Sequence, residues 1–289
     1  MGWSSELVFD APGPTEALRV GGYRVGIEPA EIVDYVAVEE PLEIRVLHWD
    51  SGQLTRNSVA VTMRTPGNDF ELAVGFLHSE GVVRSARDIQ SVSYCTDPGE
   101  PQRYNIVNVQ LAEGVGFNPE SLSRRVFTSS ACGVCGTASL EQLEKLCPVK
   151  PEGNFTIKQE VLFSLPSRLR GAQRFFQKTG GLHASALIDI DGSFLAVRED
   201  VGRHNAMDKL VGHLLLDGGL PASNKIVLVS GRAGFELVQK AVLAGIPMLV
   251  AIGAPSSLAV KLAEKYSVTL VGFLREDRFN VYSAPNRIC

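Results

Sequence analysis

No apolar run in this sequence approaches the length of a membrane span; Ile246–Gly253 falls well short of the ~20 residues a bilayer-crossing helix needs. Met1–Leu7 lacks the basic start and apolar core of a secretory signal. A cytoplasmic protein without membrane contact is the expectation. Charge of one sign is missing too: 28 basic against 32 acidic residues leave a formal charge of -4. No global pull toward nucleic acid or anionic lipid follows from that, so any anion site must be local. Neither the GxxxxGK[ST] nor the GxGxxG glycine signature occurs, which leaves NTP hydrolysis and dinucleotide redox chemistry without support. Cysteine is sparse, odd in number and irregularly spaced, with 5 in 289 residues. That argues for a reducing compartment and against a disulfide framework.

Two of those cysteines are nevertheless close together. Cys132 and Cys135 lie three residues apart in the small-residue run Thr128–Gly136, whereas Cys95, Cys147 and Cys289 stand alone. The pair has three readings: half of a zinc site, a dithiol redox couple, or a thiolate that carries a group. Zinc wants four ligands and there is one CxxC, so a second chain would have to supply the rest. Leu140, Leu143 and Leu146 predict a short helix starting near Thr137 or Ser139. The pair would then precede a helix N-terminus, where the dipole, with Arg124 and Arg125, lowers a thiol pKa.

A length of 289 residues suits two domains. Residues 1–24 mix Gly, Pro and polar residues without a period and are expected to be loosely held. Residues 25–123 read as a small α+β domain, with strands at Ile32–Val38, Leu42–Leu47, Ser58–Arg64 and Tyr104–Leu111. Between them, Phe70, Ala73, Val74 and Leu77 recur at helical spacing after Asn68 or Asp69 as cap, and Gly81 ends the helix. Residues 124–138 form a mobile cysteine loop in this reading, and 139–289 the second domain. There, Asp191-Gly192 signals a hairpin between Ala184–Asp189 and Ser193–Val197. A helix from about Asn205 follows, then strand Ile226–Val229, helix Phe235–Ala244, strand Met248–Ile252, helix Ser257–Tyr266 and strand Val268–Gly272. Alternation at this spacing predicts βαβ units and a mostly parallel sheet.

Ligands of open parallel sheets bind beyond the carboxyl ends of the strands. Three loops are predicted there: Ser230–Gly234 with Gly231, Arg232 and Gly234; Gly253–Ser257; and Phe273–Arg278 with an aromatic and two guanidinium groups. Any one of them reads most economically as a well-made βα connection. Three on one sheet edge turn the balance toward a nucleotide or other phosphorylated ligand. His183, ahead of the hairpin, and the mixed-sign run Arg198–Asn205, which contains Arg203 and His204, are weaker candidates for the same site.

Together, Cys-Gly-Val-Cys-Gly at 132–136, Thr-Gly-Gly-Leu-His-Ala at 179–184, Glu-Asp-Val-Gly-Arg-His-Asn-Ala at 199–206 and Ser-Gly-Arg-Ala-Gly-Phe-Glu at 230–236 resemble the FdhD family. Glu39–Leu42, Met63–Gly67, Glu71-Leu-Ala and Gly75-Phe-Leu extend the resemblance from about residue 33 onward. It implies a sulfurtransferase required for formate dehydrogenase activity, its client. In that family a cysteine desulfurase supplies sulfur as a cysteine persulfide. The sulfur passes to the molybdenum (or tungsten) cofactor in its bis(guanine dinucleotide) form. By resemblance, Cys132 is the persulfide residue and Cys135 the second motif cysteine. The cofactor-binding segment maps onto Phe273, Leu274, Arg275, Glu276, Asp277 and Arg278. A homodimer and a cytidine-deaminase-like second domain are implied as well. Deamination is not: the H-x-E helix start reads His204-Asn-Ala206 here, and no P-C-x-x-C follows. No metal of its own is expected. A non-catalytic cofactor chaperone and a zinc-binding structural protein are the alternatives.

Overall fold

The computed structural model describes residues 11–96, 102–119, 122 and 150–289. Its backbone is α+β, built on three sheets. The largest has the order β12-β11-β10-β9-β7-β8, from β7 (His183–Ile188), β8 (Phe194–Asp200), β9 (Ile226–Val229), β10 (Met248–Ala251), β11 (Thr269–Gly272) and β12 (Asn280–Ser283). Alternation sorts its side chains onto two faces. Leu187, Val227, Val229, Leu249, Ala251 and Leu270 turn toward α4 (Arg203–Leu216), α5 (Phe235–Leu243) and α6 (Ser257–Tyr266). Ala184, Ala186, Ile188, Leu228, Met248, Val250 and Val271 turn toward α2 (Gln159–Ala172). Each fully buried leucine or isoleucine contributes about 1.5–3 kcal/mol, so these two faces carry most of this unit's stability.

The sheet is less parallel than the alternation of elements implies. Only β9–β10 and β10–β11 pair in parallel; β7 runs against both β8 and β9, and β12 against β11. The reason is local. The Asp191-Gly192 turn, with Gly192 at φ 85°, forces a hairpin, and β12 returns directly after β11 with no helix to carry it across. Two further elements are absent from the sequence reading: α2, and α3 (Arg174–Thr179) behind it. Pro166 inside α2 hides the helical pattern, yet Leu162, Leu165 and Leu169 still share one buried face.

A four-stranded sheet, order β4-β3-β6-β5, forms the second layer system from β3 (Glu40–Asp50), β4 (Gln53–Arg64), β5 (Ile89–Tyr94) and β6 (Ile106–Leu111). Its core residues Leu42, Ile44, Val46, Val107, Val109 and Leu111 pack on Leu72, Ala73 and Leu77 of α1 (Asp69–Ser79). Asn68 adopts φ 57° and its side chain makes no capping bond, contrary to the expected cap. The neighbouring Asp69 is committed elsewhere: buried Arg64 donates to both its oxygens, at 3.1 and 2.9 Å.

The N-terminus also differs from expectation. Thr15–Arg24 is not loose but forms β1, paired antiparallel with β2 (Ile27–Ala37) around Gly26 at φ 75°. Gly21 and Gly22 interrupt the alternation of Leu18 and Val20, which is why the strand is hard to see in sequence. This ribbon is a two-stranded sheet of its own.

The two larger sheets meet through α1 and α4, which cross at glycines. A Cβ on Gly75 would collide with the Asp208 carbonyl, and one on Gly212 with the Glu71 carbonyl. Lys209 and Asp200 form a 2.7 Å ion pair at the same junction. Lys209 also donates to the Thr65 carbonyl at 2.8 Å, and the Thr65 amide donates to Asp200.

Candidate functional site

The three predicted loops do gather at the carboxyl ends of β9, β10 and β11. They are bonded side by side: the Gly253 amide donates to the Gly231 carbonyl, and the Phe273 amide to the Gly253 carbonyl, each at 3.0 Å. Gly253 has to be glycine, because a Cβ there would lie 2.7 Å from the Gly231 oxygen. Ala233 and Pro255 add a parallel bridge between the first two loops. The result is a shelf of fixed backbone along one sheet edge, with α5 and α6 starting directly beneath it.

At one end of the shelf lies a groove of about 270 Å³ lined by Phe273, Arg275, Arg278 and Asn280. Phe273 holds φ 53° and is 41% exposed, an aromatic face presented to solvent. Arg278 reaches out, its closest acidic neighbour being the equally exposed Asp277 at 3.9 Å. Arg275 is partly spent on the fold: Nη1 donates to the carbonyls of Ile252 and Leu274 at 2.7 Å. Glu276 and Asp277 are exposed on the segment's tip and do not line the groove. Leu274 does not face a ligand at all; it is fully buried in the core against α2. The left-handed Phe273 ends the strand, and the Leu274 amide bonds back to the Ala251 carbonyl at 3.1 Å, which turns the side chain inward. Asn280, which lines the groove, carries no signal in the sequence.

Further along the shelf, the start of β7 and the start of α4 bring His183, Arg203, His204, Gly231 and Arg232 together. His183 Nδ1 would be 3.3 Å from a Cβ on Gly231, and Arg203 Cδ 3.7 Å. Burial, reinforced by the nearby charges of Arg203, His204 and Arg232, pushes the His183 pKa below its usual value. At neutral pH it is therefore an uncharged hydrogen-bonding group among cations. His204 Nε2 pairs with Glu236 Oε2 at 3.0 Å, and this hydrogen bond holds the Glu236 carboxyl below the ordinary carboxylate range. Glu236 is an addition to the predicted set; as the acid following the Ser230–Gly234 loop it was visible in sequence but had no assigned partner. Gly234, at the N-cap of α5, has open space around its α-carbon.

The mixed-sign run Arg198–Asn205 divides by destination. Arg198 forms a bidentate pair with Glu71. Glu199 accepts from the amides of Phe175 and Phe176, capping α3. Asp200 meets Lys209, and Asn205 Nδ2 donates to the Met63 carbonyl at 2.8 Å. Arg203 and His204 alone turn to the shelf. Most of what reads as a polar site in this run is the seam between the two larger sheets.

Cys132, Cys135 and Cys147 lie outside the described residues, as do Arg124, Arg125 and the helix expected near 137–146. The described chain bounds them. Leu122 is buried in the cluster that holds Leu215, in the last turn of α4. Lys150 Nζ donates to Ser267 Oγ at 3.3 Å, just ahead of β11, and Gly153 abuts Pro247, just ahead of β10. Both anchors are at the amino end of the strands, opposite the shelf. Cys132 follows Leu122 by ten positions, and at ~3.3–3.6 Å per step that length of chain spans at most roughly 35 Å. That exceeds the ~21 Å length of α4. Among the described residues no cluster of metal-ligating side chains occurs, and no helix is long and apolar enough to cross a membrane.

Comparison with known proteins gives one family. The FdhD/NarQ family profile matches residues 37–289. A sulfur carrier protein FdhD of Mycolicibacterium paratuberculosis is 51% identical over 256 residues, covering 88% of this chain and 91% of the relative. Its counterpart in Streptomyces coelicolor is 51% identical over 260 residues, covering 88% and 89%. The archaeal counterpart from Saccharolobus solfataricus is 44% identical over 255 residues, covering 88% and 91%. A crystal structure from Desulfotalea psychrophila, assigned as a formate dehydrogenase accessory protein, superposes with a TM-score of 0.72 at 24% identity. It covers 96% of this chain and 100% of its own, so the same fold extends over nearly the whole length. With the profile spanning all but the N-terminal ribbon and half of the residues shared with these relatives, the chain belongs to the FdhD/NarQ family.

Proposed function

We propose that this protein is a sulfurtransferase that takes sulfur from a cysteine desulfurase as a persulfide on Cys132. It delivers that sulfur to a bis(guanine dinucleotide) molybdenum (or tungsten) cofactor, its substrate, which formate dehydrogenase then receives. The Cys132 thiolate attacks the terminal sulfur of the donor's persulfide, a new S–S bond forms, and the donor's thiolate leaves. No external oxidant or reductant enters this step. Cys135, three positions on in the same motif, is the second thiol that can share or release the sulfur.

The observation that carries the acceptor half of this reading is the shelf. It combines an aromatic face, two guanidinium groups in a groove of about 270 Å³, and a second cationic cluster further along the same edge. A groove of that size accommodates a nucleobase rather than a whole drug-sized ligand, which needs ~300–1,000 Å³. Phe273 supplies a stacking surface for a guanine, Arg278 a charge-assisted donor to phosphate, and Arg232 with Arg203 a second phosphate position. His183, uncharged, adds a hydrogen-bonding group beside these cations. The name borne by the relatives, sulfur carrier protein, supports the donor half.

Intact-mass measurement after incubation with a cysteine desulfurase and cysteine tests it. A gain of about 32 mass units, one sulfur, is expected on the wild type and not on Cys132→Ala. An adduct that persists in Cys132→Ala places the carrier on another residue and ends this assignment.

A further inference from the structure

The inward row of β3 runs Leu42, Ile44, Val46 and then His48, which is 7% exposed. An imidazole ends a line that three aliphatic residues begin. Across from it on β4 stand Thr55, its register partner, and Asn57, the partner of Val46. The Thr55 hydroxyl donates to the His48 carbonyl at 3.1 Å and has no second hydrogen for the ring. His48 Nε2 therefore carries the ring proton, shared between Thr55 Oγ1 at 2.9 Å and Asn57 Oδ1 at 3.0 Å. Nδ1 keeps a free lone pair and is not among the unpartnered atoms closed to solvent. Phe117 meets the ring edge-on, with centroids 4.9 Å apart. Three polar side chains are thus fixed at the end of an apolar face where another aliphatic residue would serve the fold as well, which marks the place for function.

His48, Thr55 and Asn57 line an open cavity of about 390 Å³, together with Trp49, Asp50 and Phe117. It is remote from the shelf. Met63 touches Asn205 at the start of α4, and from Met63 back to Thr55 is eight residues of strand, roughly 26 Å at ~3.3 Å each. No lysine or arginine lines the cavity, and Asp50 is its one acid. That carboxylate accepts from Ser51 Oγ at 3.2 Å and has no ion-pair partner among the described residues. A carboxylate, an imidazole lone pair and two aromatic rings favour a planar cation with several N–H donors, which is a guanidinium. At the mouth, Trp49 and its cross-strand neighbour Leu54 leave apolar surface in solvent, at 45% and 44% exposure. An apolar ledge beside a charge-selective hole is the anatomy of a protein contact, where Trp and Arg are concentrated.

We propose that the cavity at the tip of the β3–β4 hairpin anchors an arginine side chain of a partner protein. The guanidinium lies against Trp49 and Phe117 and donates to the Asp50 carboxylate and to His48 Nδ1. An apolar residue flanking that arginine covers Trp49 and Leu54. Charge complementarity selects a basic occupant, and the exposed ledge selects one presented by a protein surface.

The chain has two tryptophans, Trp3 and Trp49, so nitrogen-labelled protein gives two indole N–H resonances, and Trp3→Phe assigns them. N-acetylargininamide, capped at both ends like an arginine within a chain, is expected to shift the Trp49 resonance saturably, with a dissociation constant on the order of 1 mM. N-acetylcitrullinamide, the same shape without the charge, should leave it in place. N-acetyllysinamide should bind about fivefold more weakly, because a point charge neither forks nor stacks. Asp50→Asn, at an exposed turn position that keeps an oxygen for Ser51, should weaken the arginine probe about tenfold. A Trp49 resonance that ignores the arginine probe overturns the proposal. So does equal binding of the citrulline or lysine probe, or an Asp50→Asn variant that binds like the wild type. Free arginine binding more than about tenfold tighter than the capped probe assigns the cavity to a small metabolite, and the partner-protein reading falls. The readout does not involve Cys132, so failure here leaves the sulfur-transfer proposal standing.

Discussion

Lys209 Nζ lies 2.7 Å from Asp200 Oδ2, and both side chains are closed to solvent, at 1% and 0% exposure. The pair spans the last residue of β8 and the second turn of α4, and the Thr65 backbone from β4's end ties into it from the other sheet. A buried pair whose remaining hydrogen bonds are satisfied holds this junction in one arrangement.

Removing either partner leaves a charge in the core. Lys209→Met or Asp200→Ala is expected to cost about 3–5 kcal/mol. The denaturation midpoint in urea would fall accordingly, with Cys132 persulfidation affected only through the folded fraction. A loss under 1 kcal/mol would mean the junction tolerates water and the pair is not sealed.

Gly212→Ala tests the crossing of α1 and α4. Its Cβ meets the Glu71 carbonyl, so the helices must separate, at a cost of about 1–3 kcal/mol or more. Gly171, inside α2 with nothing within 4 Å of its added Cβ, is the contrasting case. Gly171→Ala should stabilise by about 0.5–1 kcal/mol through helix propensity. Thermal melts of the two variants should move in opposite directions.

Arg275 and Arg278 should separate by function. Arg278→Ala removes a donor that the fold does not use and should weaken binding of a guanine nucleotide such as GDP about tenfold. Its melting temperature should stay unchanged. Arg275→Ala should lower both, since the same guanidinium holds the Ile252 and Leu274 carbonyls. Calorimetric titration and a thermal melt on each variant distinguish the two.

Acid stability follows from Glu71. Burial pushes its carboxyl up, but the hydrogen bonds from Arg198 and His213 outweigh that and hold it below the usual carboxylate value. A depressed carboxylate contributes stability that is present above the unfolded-state pKa and lost as pH falls through the folded-state one. Glu236, held down by His204, has the same sign. Glu71→Gln should therefore reduce the urea midpoint near neutral pH and flatten its fall below about pH 4. An acid limb as steep as the wild type's would remove Glu71 from that account.

How much of this was visible beforehand depends on the reach of each pattern. Met207, Leu210, Val211 and Leu214 sit on one face of α4 because a period of 3.6 is a property of adjacent residues. Asp191-Gly192 specifies a turn for the same reason. By contrast β5 and β12 carry no clear signal: each is a short edge strand whose side chains are mostly part-exposed, so neither shows a clean inside–outside alternation. Leu274 belongs to a contiguous motif with ligand-facing neighbours, but the left-handed turn at Phe273 sends it into the core.

The sequence by itself determined the alternation of strands and helices, the glycine and cap residues that place three loops at one sheet edge, and the motifs that mark the family. Those are local or contiguous features, readable from spacing. The tertiary structure alone decided which charges serve chemistry and which serve the seam. Arg198, Glu199, Asp200 and Asn205 are drawn inward by partners distant in sequence (Glu71, the Phe175 and Phe176 amides, the Thr65 amide and the Met63 carbonyl), while Arg203 and His204 remain at the shelf. Burial of a charge depends on what packs over it, and no stretch of sequence contains its own neighbours in space.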